Sequence, residues 1–167
     1  MAPQFVKPYV KNNKNDMNDA EAICEAVTRP TMKFVPIKTV EQQDILLVHR
    51  ARELAVKQRT ALSNQIRGLL AEYGVTMNLG LTQIRKLPEH LDENKDNLSS
   101  KAFAFFTAQH ERFKQMELDI KKYEKEIKSH SIRDARCGEL QKIPGIGPLT
   151  ATALVGSMGD ASVFKNG

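Results

Sequence analysis

Asp16 and Asp19 stand three residues apart in the stretch Lys14-Asn15-Asp16-Met17-Asn18-Asp19-Ala20-Glu21-Ala22-Ile23. The stretch reads as the start of a helix. Residues so spaced lie on one helical face, about 4.5 Å apart along the axis. Both carboxylates can then reach one hard divalent cation, and Mg²⁺ accepts a few carboxylate oxygens while keeping waters. Such clusters activate a hydroxyl or steady a leaving oxygen in nucleic-acid chemistry. The same spacing has a plainer reading, because acids in a first helical turn favour the positive end of the helix dipole.

A long chain has to position that pair. At 167 residues, 41% hydrophobic and 27% charged, it can bury a core without being one compact domain. It holds no apolar run near the ~20 residues of a bilayer span, and no signal-peptide pattern at its start. The expected location is the cytoplasm, with no membrane partner. The net charge of +5 points weakly to a polyanion. Cys24 and Cys137 lie far apart without metal-ligand spacing, which reads as reduced and structural. Aromatics are few and tryptophan is absent, so composition does not indicate a base-stacking surface.

The elements read as mainly α-helical. Phe5 to Lys11 is β-favouring, but Pro8 confines it to a sheet edge or strand end. A helix follows from about Asn15 to Thr28 with Ala20, Ile23, Ala26 and Val27 on its apolar side, stopped by Pro30. Phe34, Val35 and Ile37 form another short extended piece. Thr39-Val40-Glu41-Gln42 is a capping box. The helix it opens runs to Tyr73, where Gly74 offers a left-handed stop. Val48, Ala55, Leu62 and Leu69 recur every seven residues in it, with Leu47, Leu54 and Ala61 beside them. Residues 75–99 break the pattern and predict a connection with one short helix. A third helix spans roughly Ser100 to Ser129, with Phe106, Phe113, Ile120 and Ile127 at heptad spacing and Met116 and Tyr123 three positions on. Two such helices predict either an antiparallel coiled-coil hairpin or a coil that pairs with a second subunit. A stripe says where a helix packs, not against whom.

Leu140-Gln-Lys-Ile143-Pro144-Gly145-Ile146-Gly147-Pro148-Leu149-Thr150 has the form of a helix-hairpin-helix. The first helix is expected to end at Ile143. The glycines allow a sharp turn and close approach of a partner, and the free N–H groups of the next helix suit a phosphate oxygen. The contact would track a nucleic-acid backbone without reading bases. Lys142, Gly145, Ile146 and Gly147 are the candidate contacts, with Lys142 and Lys165 as possible phosphate partners. A plain turn between packed helices has the same pattern.

Taken together, these blocks resemble the insertion-sequence transposases with a DEDD metal site, relatives of the Piv-type DNA invertases that are also described as bridge-RNA-guided recombinases. The resemblance rests on Val6-Lys-Pro-Tyr-Val-Lys11, Asn15 to Ala26, Phe34 to Gln43, Arg59 to Leu70 and Ile143 to Leu154, in that order. It implies a RuvC-like (RNase H-fold) part over residues 1–37, a coiled-coil region over 38–135 with its connection at 74–99, and the opening of a C-terminal transposase domain over 136–167. It further implies four metal-binding acids, the last two matching Asp16 and Asp19, with Mg²⁺ as the cofactor. The implied partners are DNA, a guide RNA and a second copy joined through the coil. The family's nucleophilic serine is expected further downstream, and its role is carried to neither Ser157 nor Ser162. Both ends read as cut, which predicts a partial transposase that is inactive alone. The competing readings are a non-enzymatic coiled-coil module that binds nucleic acid or inhibits full-length copies, and, more weakly, a helix-hairpin-helix repair protein.

Overall fold

A computed structural model of the protein describes residues 1, 3–11, 15–32, 34 and 37–158. They divide into two units, with the boundary between Thr39 and Val40. All regular elements among the described residues are helical.

The first unit holds a short helix α1 (Pro3–Val6), a 3-10 turn (Lys7–Tyr9) and helix α2 (Asp16–Val27). The edge strand expected over Phe5–Lys11 is therefore a helical turn, closed by the Val10 N–H on the Lys7 carbonyl at 3.2 Å. Pro8 at the start of the turn fits a helical φ. A strand here would have no neighbour among the described residues to complete its hydrogen bonds. The extended piece expected at Phe34–Ile37 falls partly outside the described residues. Helix α2 keeps its expected span, but of its expected apolar side only Ala26 lies inside. Ala22 and Ala26 are buried, whereas Ala20, Ile23 and Val27 are exposed. The small alanines let the 3-10 turn approach closely, and Arg29 lies over the Tyr9 ring at 5.4 Å.

The second unit is built on two long helices, α3 (Val40–Glu72) and α6 (Ser100–Arg133). They pack antiparallel within one chain: Leu70 shares a cluster with Phe106, Arg52 pairs with Glu124 at 2.7 Å, and Ile45 and Val48 meet Ile127. Residue numbers rise along one helix as they fall along the other. The heptad series on α6 is buried at every step, with Phe106, Phe113, Ile120 and Ile127 each at most 4% exposed. Ser99 starts α6 by accepting the Ala102 N–H at 3.1 Å. At the far end of α3, Gly74 takes φ +74° and the Val75 N–H returns to the Leu70 carbonyl.

Only one of the two apolar stripes on α3 is inside. Val48 and Leu62 are buried with Ile45, Ile66 and Leu70, while Leu47, Leu54 and Ala61 face outward. The connection folds more than expected. It forms two short helices, α4 (Leu81–Arg85) and α5 (Leu87–Glu93), which seat Ile84, Leu87 and Leu91 in one core with Ile66, Leu70 and Phe113. Burying three such side chains at about 1.5–3 kcal/mol each outweighs the loop-forming preference of Gly80, Asn94 and Asp96. Arg85 grips Glu117 of α6 at 2.6 and 3.0 Å and holds that carboxyl below its ordinary pKa.

Candidate functional site

Asp16 and Asp19 both lie in the first turn of α2. Asn15 caps that turn, its side chain accepting the Asn18 N–H at 2.7 Å, and the Asp19 N–H reaches the Asn15 carbonyl at 3.1 Å. The cap sets the helix register and thereby places both acids on one face at the positive end of the dipole. Asp16 is exposed and Asp19 half-buried. The nearby acids have other ties: Glu21 pairs with Lys11, and Glu25 with Arg29. Among the described residues no three of Asp, Glu, His and Cys gather into a set able to hold a metal ion. The pair thus offers two hard oxygen ligands. That suits a Mg²⁺ whose shell is completed by water, phosphate or further acids.

The hairpin motif lies between α7 (Ala135–Leu140) and α8 (Pro148–Met158). Helix α7 ends at Leu140, three residues before the expected Ile143. The Ile143 N–H then closes a turn on the Leu140 carbonyl, and the Ile146 N–H closes the next on Ile143. Gly145 takes φ +89°, a conformation that side-chain-bearing residues rarely adopt. Gly147 accepts the Ala151 N–H through its carbonyl at 2.9 Å and so stands at the start of α8, with open space where a Cβ would be. Ile146 turns its side chain inward against Cys137, Ala151 and Val155. Lys142 is exposed and pairs with Glu139 at 2.7 Å. The four predicted contacts therefore share one turn, with Lys142, Gly145 and Gly147 facing out and Ile146 anchoring it. Lys165 and Ser162 lie outside the described residues.

Helix α8 is pinned across the open end of the hairpin by contacts that sequence reasoning missed. Gln42, expected in the capping box, donates its side-chain amide to the Val155 carbonyl at 3.2 Å. His49 Nε2 lies 2.9 Å from Thr152 Oγ1, which itself donates to the Pro148 carbonyl at 2.8 Å. Burial, then the charges of Arg52 and His130, hold His49 below its ordinary pKa. His49 and Thr152 stand 103 residues apart in sequence, and no local pattern links them.

Next to this junction, Glu41, His130, Arg133, Asp134 and Arg136 line a polar cleft of about 450 Å³. Arg136 is committed to Asp134 at 2.7 and 3.0 Å. Cys137 is buried, and burial raises its thiol pKa, which leaves it a packing residue. No helix among the described residues is long and apolar enough to cross a membrane.

Residues 1–75 match a family model for the DEDD transposases of the IS110 type, described as Transposase. Residues 137–167 match a second, described as Transposase IS116/IS110/IS902 family. The chain is 41% identical to a Probable family 20 transposase of Pseudomonas aeruginosa, over all of this chain and 50% of that protein. It is 43% identical to the Transposase for insertion sequence element IS1111A of Coxiella burnetii, over 98% of this chain and 45% of the relative. To the Transposase for insertion sequence element IS1328 of Yersinia enterocolitica it is 39% identical, over 98% and 48%. The chain spans about half the length of the curated relatives it matches. No solved structure matches it significantly.

Proposed function

Since this chain belongs to the IS116/IS110/IS902 transposase family, we propose that it serves DNA transposition as a DNA-binding part of a recombinase. The observation that carries this reading is the α7–α8 turn, which presents Lys142, Gly145, Gly147 and the start of α8 together on one outward surface. In this reading residues 1–37 carry metal ligands of a RuvC-like part, 38–135 form the coil, and 136–167 open the transposase domain. Asp16 and Asp19 would hold Mg²⁺ at a DNA or guide-RNA phosphate, where the ion would neutralise charge on reacting oxygens. They are two of the four acids that the resemblance implies. By itself, the chain then binds DNA without cutting or joining it.

Duplex binding, followed by fluorescence anisotropy with and without Mg²⁺, tests this. Asn is a good helix cap and fits the open space at Gly147, so Gly147→Asn keeps the fold while obstructing a close backbone. Its expected effect, together with Lys142→Gln, is about tenfold weaker binding and a shallower salt dependence. Asp16→Asn with Asp19→Asn should remove whatever part of binding depends on Mg²⁺. Unchanged affinity in the turn variant removes the hairpin from the interface, and strand-cleaving turnover by the chain alone refutes the half-site.

A second copy also fits the outward stripe. Leu47 is 66% and Leu54 56% exposed, one heptad apart on the side of α3 that the hairpin leaves open. Sedimentation should give a dimer that Leu47→Lys with Leu54→Lys converts to monomer. A wild-type chain that stays monomeric at high concentration rules out this interface.

A further inference from the structure

The closed end of the hairpin gathers aromatic side chains that composition did not announce. Tyr73, just past α3, and Phe105 on α6 are 43% and 42% exposed. Both rings stand nearly perpendicular to Phe106, at ring separations of 6.1 and 5.5 Å and interplanar angles of 85° and 76°. Phe106 is itself buried, so it fixes the other two rings from below. These three rings line a cavity of about 340 Å³ together with Leu69, Glu72 and Lys101. Among the described residues neither Glu72 nor Lys101 is ion-paired, and both are exposed.

We propose that this pocket takes one unpaired base of a single-stranded nucleic acid, stacked on Tyr73 and Phe105. The inference rests on the nucleic-acid reading above and adds a second, chemically different contact to it. Exposed aromatic faces bind any base through its π-surface. A base also carries what the rim can use: amino hydrogens for the Glu72 carboxylate, and a phosphate one sugar away for the Lys101 ammonium. An aliphatic side chain from a protein partner would fill the apolar floor but leave both charges unused. The hairpin turn at α7–α8 follows a backbone and suits duplex; this pocket requires a base out of its helix and suits single strands.

The chain has no tryptophan, so Y73W places a single reporter in the pocket. The emission of that variant is expected to be quenched by a short oligo-dA and not by a blunt duplex. Phe105→Ala should weaken oligo-dA binding about 5- to 150-fold while duplex binding stays at the wild-type level. Phe105→Leu keeps the apolar volume, and should lose most of that affinity if stacking is the cause. Unquenched emission while the wild-type chain binds oligo-dA overturns the proposal, as does oligo-dA affinity indifferent to Phe105. So does a change in self-association alone, which would assign the pocket to a second copy. Failure of the wild-type chain to bind duplex or single strand refutes the nucleic-acid reading itself; duplex binding with inert pocket variants refutes only this inference.

Discussion

Phe113→Ala lowers the unfolding free energy by about 3–5 kcal/mol, a large share of the roughly 5–15 kcal/mol that holds a typical domain together. Phe113 is fully buried in the cluster that joins α3, α4, α5 and α6, and the His110 ring stacks on it with 6.5 Å between centroids. Truncation leaves a cavity where these helices meet, and packed helices collapse into such a space only in part. Urea denaturation followed by helical circular dichroism measures the loss. Leu54→Ala is the control: a leucine at heptad spacing, but on the outward stripe, expected to shift stability by no more than about 0.5 kcal/mol. Equal losses from the two substitutions would mean that the buried seam has been assigned to the wrong face.

Gly156→Val is expected to loosen α8 from the hairpin and cost about 1–3 kcal/mol. A Cβ at Gly156 would sit 3.1 Å from Ile45 Cγ2 and 3.2 Å from Leu46 Cγ, both on α3. Alanine asks those side chains to yield by a few tenths of an ångström. It also gains about 0.8–1 kcal/mol of helix propensity over glycine, so Gly156→Ala should be close to neutral. Valine adds two further carbons with little rotamer freedom, and the helix must move instead. Hydrogen exchange reads this locally: α8 amides should lose protection while the middle of α6 keeps it. Uniform loss across both helices would show that α8 and the hairpin unfold as one unit. Unchanged α8 protection would refute the close approach.

Much of this architecture was legible in the residues. The glycine stop after α3 and the heptad series from Phe106 to Ile127 are local features. Each follows from the backbone within a turn or two. The placement of Asp16 and Asp19 in one helical turn is likewise a matter of spacing. Phe5–Lys11 departs from its β-favouring composition, because such side chains need a neighbouring strand that the described residues do not supply.

What amino-acid order alone determined here is the approximate length and register of the longer helices α2, α3 and α6, and the residue types carried at the α2 start and the α7–α8 turn. Tertiary structure decided which of two adjacent stripes on α3 goes inside, that Gln42 and His49 bind α8, and that Tyr73 packs with Phe106 beside Phe105. The physical reason is that helical periodicity is set by hydrogen bonds four residues apart, whereas burial depends on which surfaces cover one another. Leu47 and Val48 differ by about 100° around one axis. Only the arrival of α6 on one side distinguishes them.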